Sequence, residues 1–499
     1  MPEPIRFEAT TASAAVVEAD LLVLPVFEGP EPGPGAAEIG RAIGADLAEV
    51  LRGSDLKGKA GETLLIPGTG AAVRMILFVG VGPKASAGVG TVREAAMRAG
   101  AKARPHGVVA STLPQLGSSP GASARAFVEG FLLGAYRFDR YRNVPADERP
   151  RTELVRLVVG ARAGAAARER IHRGEIVGAA TNWARDLVTT PALDATPEVL
   201  AEEARTMATA AGLECRVWTK TDLEKGGFGG ILGVGAGSAH EPRMVELTYA
   251  GSGRGKPIAL TGKGVTFDSG GLDLKRHEDE IGYMKSDMAG AAAAFATLRA
   301  VAALQLRVNV VAAVPLAENM PGGSATHPGD VLRHRGGRTS EVLDTDAEGR
   351  VLLADVLAYL TEKDPAVILD SATLTDAAGL GADLWALMST DRALAAELLE
   401  AGAEAGEPGW EVPLWTPYRK LIDSALADVK NVGDHGIDSS VMAGLFLRDF
   451  VGDTPWLHLD TGSSAWREHE DDLWPEGATG SPTRAFVHFV ERRAARARA

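Results

Sequence analysis

The sequence has almost no cysteine: Cys215 is the only one among 499 residues. A single thiol cannot form an internal disulfide, which excludes the disulfide framework of a small secreted protein. Cys215 opens a strand-like run with no histidine beside it, whereas a thiol nucleophile needs an activating neighbour. The cysteine usage therefore favours a cytoplasmic chain and argues against thiol chemistry.

Long hydrophobic runs are also lacking. The longest apolar runs, at 21–27 and 308–316, are much shorter than the roughly 20 residues that span a bilayer. The first residues, Met1–Arg6, lack the basic region and the apolar core of a signal peptide. We therefore expect a cytoplasmic protein with no membrane partner.

The second part of the chain lacks the charge balance of the first and is strongly acidic. The net charge is −14, with +2 over residues 1–165 and −16 over residues 166–499. A chain this acidic repels phosphate backbones, so a nucleic-acid partner is disfavoured, whereas cations would be attracted. Only 13 of the 52 basic residues are lysines, yet three of them fall within residues 263–285. Lysine at those positions suggests that an amine is needed there specifically.

The order of hydrophobic patterns predicts an α/β fold with two domains, because 499 residues are too many for one compact core. We place the boundary near 165, in a small and basic stretch at 161–170. A smaller N-terminal α/β domain then covers 1–165, and a larger C-terminal α/β domain with a mixed, mostly parallel sheet covers 166–499. Helices are predicted at 36–51, 170–188, 197–211, 289–304, 351–360, 393–403, 440–450 and from 481. Strands of the second domain are predicted at 215–218, 244–249, 257–261, 308–314, 367–370 and 456–459.

The segment 261–275 carries the first chemical signal, because it mixes Gly, Lys and Asp directly after the apolar run 257–261. In open α/β sheets, ligands bind beyond the carboxyl ends of the strands. Lys263 and Asp268 fall at that end, and the glycines beside them let the backbone approach a bound group closely. The segment is therefore a candidate ligand site.

A second acidic position lies directly before an Ala-rich helix. In the run Met-Lys-Ser-Asp-Met at 284–288, Asp287 is a candidate ligand. The alternative is that Ser286 or Asp287 only caps the N-terminus of the helix.

A third segment, Leu-Asp-Thr-Asp-Ala-Glu-Gly-Arg at 343–350, is also acidic. Asp346, Glu348 and Arg350 are spaced i, i+2 and i+4, which would place them on one face of an extended segment. The alternative is an acidic loop before a helix that begins at 351.

Charge balance connects the three segments. Asp268, Asp287, Asp346 and Glu348 give four negative charges, which two divalent metal ions would neutralise. Lys263 can join them as a neutral amine ligand, because nearby metal charge lowers the pKa of a lysine, whereas an arginine stays protonated. The pattern predicts a dinuclear metal site.

Other catalytic patterns do not fit. None of the ten histidines forms an H-E-x-x-H pair, which excludes a zincin helix, and His458 is better interpreted as a core residue than as a ligand. Asp-Ser-Gly-Gly at 268–271 is also found around serine protease nucleophiles. The α/β pattern contradicts that fold, and Phe267 occupies the first glycine position of G-x-S-x-G.

Five motifs support a family resemblance: Gly-Lys-Gly-Val-Thr-Phe-Asp-Ser-Gly-Gly at 262–271, Met-Lys-Ser-Asp-Met at 284–288, Glu-Asn-Met-Pro-Gly at 318–322, Pro-Gly-Asp at 328–330 and Thr-Asp-Ala-Glu-Gly-Arg at 345–350. Together they closely resemble the leucyl aminopeptidase (cytosol aminopeptidase) family over about 170–499. The resemblance implies an N-terminal domain that serves assembly, a C-terminal catalytic domain and a homohexamer.

The resemblance also implies site residues and cofactors. Two divalent metal ions per chain are expected, zinc or manganese with magnesium as a further candidate, and Asp268 and Glu348 are expected to bridge them. The implied metal ligands are Lys263, Asp268, Asp287, Asp346 and Glu348. Lys275 is expected to polarise the scissile carbonyl, and Arg350 to hold a bicarbonate that acts as general base. The implied pocket for the first side chain consists of Met284, Thr373, Asp376, Gly462 and Ala465.

The chain departs from the family pattern at several positions. The stretch between Lys275 and Asp287 is one residue longer than usual and includes the acidic run at 277–280. Asp344, His327 and Asp376 replace residues that are more common in the family. If Asp376 is buried in the pocket wall, its carboxylate needs a partner, either within the protein or on a basic substrate.

We expect a metal-dependent aminopeptidase that releases leucine and similar residues from peptide substrates through a metal-activated water. The alternative function is a non-catalytic hexameric scaffold or a DNA-binding regulator on the same fold. The complete set of ligand positions and the acidic net charge favour the enzyme.

Overall fold

The computed structural model describes residues 4–117, 119–145, 148–160, 164–251, 255–277, 281–433, 436–471 and 473–496. The acidic positions 278–280 and the start of the basic stretch, 161–163, lie outside these ranges. Contacts divide the chain into two compact units, Met1–Asn182 with Glu470–Pro475 and Trp183–His469 with Glu476–Ala499. The domain limits 1–165 and 166–499 stay a prediction.

The first unit contains a seven-stranded sheet. Its strands are β1 (Arg6–Thr10), β2 (Ala19–Phe27), β3 (Glu31–Pro32), β4 (Thr63–Pro67), β5 (Val73–Gly80), β6 (Val108–Ser111) and β7 (Leu154–Val158). The order is β1-β7-β6-β2-β5-β4, with β3 paired to β2. The pairs from β1 to β5 along this order are parallel, and the pairs made by β3 and β4 are antiparallel.

The helices of this part of the chain are α1 (Ala36–Ile43), α2 (Leu47–Arg52), α3 (Val89–Ala103), α4 (Pro120–Ala135) and α5 (Gly164–Thr189). A single helix over 36–51 was the wrong prediction. Gly44 adopts a left-handed φ of 69° and ends α1, and Asp46 Oδ1 accepts hydrogen bonds from the backbone of Ala48 at 2.9 Å and Glu49 at 3.3 Å. The apolar spacing runs through both helices, but a glycine stop and an aspartate N-cap separate them.

The second unit contains a nine-stranded mixed sheet and two small sheets. Its strands are β8 (Glu214–Trp218), β9 (Arg243–Ala250), β10 (Ile258–Gly262), β11 (Val265–Asp268), β12 (Asn309–Asn319), β13 (Val331–Arg333), β14 (Thr339–Glu341), β15 (Val367–Ala372), β16 (Trp385–Ser389), β17 (Gly409–Glu411), β18 (Val429–Lys430), β19 (Trp456–Asp460), β20 (Trp466–Arg467) and β21 (Gly477–Ala478). The large sheet has the order β17-β16-β19-β15-β10-β12-β9-β8, and β11 pairs with β12. Most of its pairs are parallel, as predicted.

The helices of the second unit are α6 (Pro197–Ala211), α7 (Lys220–Gly226), α8 (Gly229–Val234), α9 (Ala289–Ala303), α10 (Glu348–Thr361), α11 (Arg392–Ala405), α12 (Ser439–Arg448) and α13 (Thr483–Arg496). The α/β class and the two-part organisation are confirmed. Among the described residues, no helix has both the length and the apolar character needed to cross a membrane.

The centre of the large sheet explains where the chemical residues lie. Strands β10, β15 and β19 are buried along their whole length, because helices cover both faces of a parallel sheet. These strands and β12 are mutually parallel neighbours in the order β19-β15-β10-β12. Their carboxyl ends therefore meet at one edge, where Lys263, Asn319 and Thr373 follow or end the strands. Strand β11, which is parallel to β12, ends at the same edge with Asp268.

Candidate metal and catalytic site

Lys263 follows β10 and lies between two carboxylates. Its Nζ is 2.7 Å from Asp287 Oδ2 and 2.6 Å from Glu348 Oε1, and it donates a hydrogen bond to the Thr373 carbonyl at 3.0 Å. The side chain is only 4% exposed. Burial alone would lower the pKa of Lys263, but the carboxylates of Asp287 and Glu348 outweigh burial and raise that pKa. The side chain is therefore held as a buried ammonium with three oxygen partners.

Lys275 makes a second bridge between carboxylates. Its Nζ is 3.1 Å from Asp268 Oδ2 and 2.7 Å from Asp346 Oδ1. Burial and the neighbouring Asp268 carboxylate raise the pKa of Asp346 to about 7, against the opposing effect of Lys275. Two lysines thus compensate part of the charge of a carboxylate cluster that resists full ionisation.

Three carboxylates converge closely enough to share a cation. Asp268, Asp346 and Glu348 each offer a ligand oxygen, and these oxygens lie within 4.8 Å of one another. Glu348 is 3% exposed, and its Oε2 has no hydrogen-bond partner among the described residues. A buried carboxylate oxygen without a partner is costly, so the donor set fits metal ions, which favour carboxylate oxygens.

Asp287 is not a helix cap. It lies in a 3-10 turn, Met284–Met288, and α9 begins after Met288 without any side-chain cap. Instead, Thr373 Oγ1 donates to Asp287 Oδ1 at 2.7 Å, and the other carboxylate oxygen faces Lys263. The N-cap alternative is wrong, because tertiary contacts at the sheet edge engage this side chain.

The predicted extended spacing of Asp346, Glu348 and Arg350 is also wrong. Helix α10 begins at Glu348 rather than at 351, so Glu348 and Arg350 lie in its first turn. An acidic residue in the first turn is stabilised by the helix dipole. Asp346 lies before the helix, and its backbone N–H donates to Asp344 Oδ1 at 2.8 Å. The turn and the helix together bring the two carboxylates to one cluster.

Arg350 is buried beside the cluster, 4% exposed. Its Nη1 donates to the Asn431 carbonyl at 2.9 Å, and its Nε has no hydrogen-bond partner among the described residues. Burial lowers the pKa of Arg350, opposed by Glu348, Asp344 and Asp460. Because the Nε N–H has no partner among the described residues, the guanidinium can donate a further hydrogen bond to an anion.

The residues predicted to bind the first side chain lie on neighbouring segments. A Cβ at Gly462 would be 1.7 Å from the Thr375 carbonyl, so only glycine allows this close approach. Ser463 Oγ donates to the Asp376 carbonyl at 2.9 Å, Ala465 is buried, and Met284 is half-buried. The Asp376 carboxylate is exposed. The condition of a buried carboxylate is therefore not met, so Asp376 needs neither an internal partner nor a basic substrate, and its place in the pocket stays a prediction.

The sequence prediction missed the residues that connect the loops. Asn319 ends β12 and donates to Asp268 Oδ1 at 2.8 Å. Asp273 Oδ2 accepts the backbone N–H of Thr345 at 2.8 Å, and Thr345 Oγ1 donates to the Gly270 carbonyl at 2.7 Å. The available signal was the motif Glu-Asn-Met-Pro-Gly at 318–322, which contains Asn319. Only the structure shows that its strand, β12, pairs with β10, the strand that Lys263 follows.

His458 is fully buried in the centre of the sheet, as its sequence context predicted. Its Nδ1 contacts Asp370 on the neighbouring strand β15. Burial alone would lower the pKa of His458, but the Asp370 carboxylate raises it. The side chain therefore pairs with Asp370 within the sheet and is not part of the carboxylate cluster.

Two models of one protein family match this chain. The model for the catalytic domain of the cytosol aminopeptidase family matches residues 182–487, and the model for its N-terminal domain matches residues 23–145. A probable cytosol aminopeptidase from Roseiflexus castenholzii is 41% identical over 97% of this chain and 99% of its own length. The one from Streptomyces coelicolor is 40% identical over 97% and 98%.

Solved structures give the same result. A mutant of tomato leucine aminopeptidase has a TM-score of 0.88 and 28% identity, over 98% of this chain and 97% of that one. The bottromycin maturation enzyme BotP in complex with Mn has a TM-score of 0.83 and 36% identity, over 95% and 100%.

The chain belongs to the cytosol aminopeptidase family. It is therefore an aminopeptidase, a hydrolase of peptides, and the metal dependence of the family agrees with the acidic cluster.

Proposed function

We propose that this chain uses two metal ions to release leucine and similar N-terminal residues from peptides. The observation that carries the proposal is the convergence of Asp268, Asp346 and Glu348, with ligand oxygens within 4.8 Å. Asp287 is linked to the same cluster through Lys263. Four carboxylates would balance the charge of two divalent ions.

The residues proposed to hold the ions are Lys263, Asp268, Asp287, Asp346 and Glu348. Zinc or manganese is the proposed metal, with magnesium as a further candidate, and the manganese complex of BotP supports manganese. Bound ions would supply Lewis-acid activation of a water and of the scissile carbonyl. Lys263 must lose a proton before its amine can act as a ligand, and a divalent charge nearby favours that loss.

Two cationic side chains have separate proposed roles. The Lys275 ammonium, at the edge of the cluster, would donate a hydrogen bond to the scissile carbonyl oxygen as negative charge develops there. Arg350 would hold a bicarbonate through guanidinium N–H groups that include its unpartnered Nε. An anion held there would take up the proton of the attacking water.

The proposed pocket for the first side chain consists of Met284, Thr373, Asp376, Gly462 and Ala465. Its buried and half-buried members are small or apolar, which suits leucine. Because the Asp376 carboxylate is exposed, solvent screens it, and it leaves a preference for leucine in place.

We also propose a cytoplasmic homohexamer. The location is supported by the relatives named probable cytosol aminopeptidase. The net charge of −14 opposes nucleic-acid binding, and the complete donor set opposes a purely scaffolding role. The scaffold or DNA-binding alternative is therefore not favoured.

Hydrolysis of aminoacyl chromogenic amides, with and without a chelator, tests the proposal. We expect activity on the leucine amide that the chelator abolishes and that zinc or manganese restores. Circular dichroism of the chelated protein controls for unfolding. Absence of metal-restored activity on every aminoacyl amide, with the fold retained, would refute the proposal.

A further inference from the structure

We propose that Asn319 is a positioning residue that fixes the Asp268 carboxylate and connects it to the loop carrying Asp346. The inference deepens the proposed function and rests on Asp268 being a metal ligand. Asn319 is the last residue of β12, and β11, which ends at Asp268, pairs with that strand. The Asn319 side chain is therefore delivered to the cluster by the sheet rather than by a flexible loop.

The side-chain amide of Asn319 uses both of its N–H groups. Nδ2 donates to Asp268 Oδ1 at 2.8 Å and to the Thr345 carbonyl at 3.0 Å. Asn319 is 5% exposed, so solvent does not compete strongly with these bonds. One amide thus connects a proposed ligand with the residue directly before a second proposed ligand, Asp346.

The orientation of the amide is determined by its partners. A carboxylate oxygen and a backbone carbonyl oxygen only accept hydrogen bonds, so the nitrogen of Asn319 must face both. The amide oxygen then points toward Gly271, where an added Cβ would be 2.9 Å from Asn319 Oδ1. A flipped amide would place an oxygen against two acceptors, so a single orientation is stable.

The backbone of Asn319 holds the same loop. Its carbonyl accepts the N–H of Ser269 at 3.0 Å and the hydroxyl of Ser269 at 2.7 Å. Gly270 and Gly271 then turn through left-handed φ values of 86° and 65°. The Ser269 hydroxyl therefore binds the backbone of Asn319 and stabilises the loop. It makes no hydrogen bond to the Asp268 carboxylate among the described residues.

These contacts predict an effect on metal affinity. A metal ion binds more tightly when its carboxylate ligand is already ordered before binding. Residues that hydrogen-bond to a metal ligand typically contribute about 10–100-fold in metal affinity. In Asn319→Ala, water can enter the space and donate to Asp268 in place of the amide. In Asn319→Leu, a side chain of similar size excludes that water and removes one donor each from Asp268 Oδ1 and the Thr345 carbonyl, although Asp268 Oδ1 keeps the Gly270 N–H at 2.9 Å. Leucine should therefore weaken metal binding more than alanine.

The experiment measures the dissociation constants of Mn²⁺ and Zn²⁺ by competition with a chromogenic chelator, on full-length protein. We expect about tenfold weaker binding in Asn319→Ala and about 100-fold in Asn319→Leu. Ser269→Ala is the matched control, because it removes the hydroxyl's bond to the Asn319 carbonyl and its bond from the Gly271 N–H but neither bond of the Asn319 amide. We expect a change of less than about threefold there. Melting temperatures of the metal-free proteins measure any general loss of stability.

The outcomes separate this inference from the proposed function. Affinities of both Asn319 variants equal to that of Ser269→Ala would overturn the positioning role. Weaker metal binding in Asn319→Ala than in Asn319→Leu would also overturn it, because water can replace the amide only in the alanine variant. A wild-type chain that binds neither metal would instead refute the metal site itself. If Asn319→Leu does not fold, Asn319→Ala against Ser269→Ala still decides the question.

Discussion

The substitution Lys263→Arg distinguishes a metal ligand from a structural cation. In the structure, the Lys263 ammonium lies 2.7 Å from Asp287 and 2.6 Å from Glu348, and all three side chains are at most 6% exposed. Arginine keeps the positive charge but cannot supply a neutral nitrogen to a metal ion. We therefore expect Lys263→Arg to lose one of two bound ions per chain, measured by elemental analysis after dialysis.

The loss of folding stability in the metal-free variants can be estimated from the same contacts. A Cβ on Gly349 would lie 2.5 Å from Lys263 Cε, so there is little space for a larger side chain. Overpacking of this kind costs about 1–3 kcal/mol. Lys263→Met removes the charge and leaves two buried carboxylates unpaired, which costs about 3–5 kcal/mol. In the presence of chelator, the melting temperature should therefore decrease from wild type to Lys263→Arg to Lys263→Met.

The two measurements together can refute the reasoning. A structural cation would leave Lys263→Arg with full metal content and a modest loss of stability. Two tightly bound ions per chain in that variant would exclude Lys263 as a ligand. A metal-free Lys263→Met that melts above Lys263→Arg would show that the ion pairs with Asp287 and Glu348 do not stabilise the cluster.

Three further predictions follow from the site and the charge distribution. Asp346→Asn and Glu348→Gln should each lower kcat on a leucine amide by more than about 100-fold, whereas Asp344→Asn should cost less than about tenfold. The reason is that an asparagine oxygen can accept the same bond from the Asp346 N–H, now 2.8 Å long; an inactive Asp344→Asn with normal metal content would reveal another role. Light scattering at neutral pH should give a mass near six times 52.0 kDa, and a monomer would contradict the hexamer. Asp376→Gly should change the ratio of kcat/KM for lysine and leucine amides by less than about fivefold, because the carboxylate is exposed; a larger change would show that Asp376 contacts the substrate.

Much of the fold could be predicted because its strands and helices carry strong local signals. Helix α6 has the predicted bounds Pro197–Ala211, and its start is marked by Thr196, whose side chain accepts the N–H of Val199. Strand β10, Ile258–Gly262, has the length of the predicted run 257–261 and is shifted by one residue. Both elements have an apolar period that matches their burial, so local pattern and tertiary structure agree.

The errors occur where contacts from distant parts of the chain decide. Asp287 has the sequence context of a helix cap, but Lys263 and Thr373 engage its two oxygens. The exposure of Asp376 and the loop contacts of Asn319 depend on which strands are neighbours, and sequence spacing does not contain that information. The convergence of the five proposed ligands is observed as geometry, whereas their metal-binding role stays a prediction.

The structure gives a physical reason for lysine at positions 263 and 275 in a chain that otherwise has few lysines. An arginine at 263 or 275 would keep a fixed positive charge, and it could pair with the carboxylates but not give up a proton to a metal ion. Lys263 pairs with Asp287 and Glu348, and Lys275 with Asp268 and Asp346, so each stabilises two of the four acidic residues without metal. The Lys263 side chain is the less exposed of the two, 4% against 9%, and it donates a further hydrogen bond to the Thr373 carbonyl. Loss of its proton would leave a neutral amine directed at the cluster, and the cluster would then carry the negative charge that two cations balance. The same lysine can therefore stabilise the metal-free fold and serve as a ligand, which no arginine in this otherwise arginine-rich chain could do.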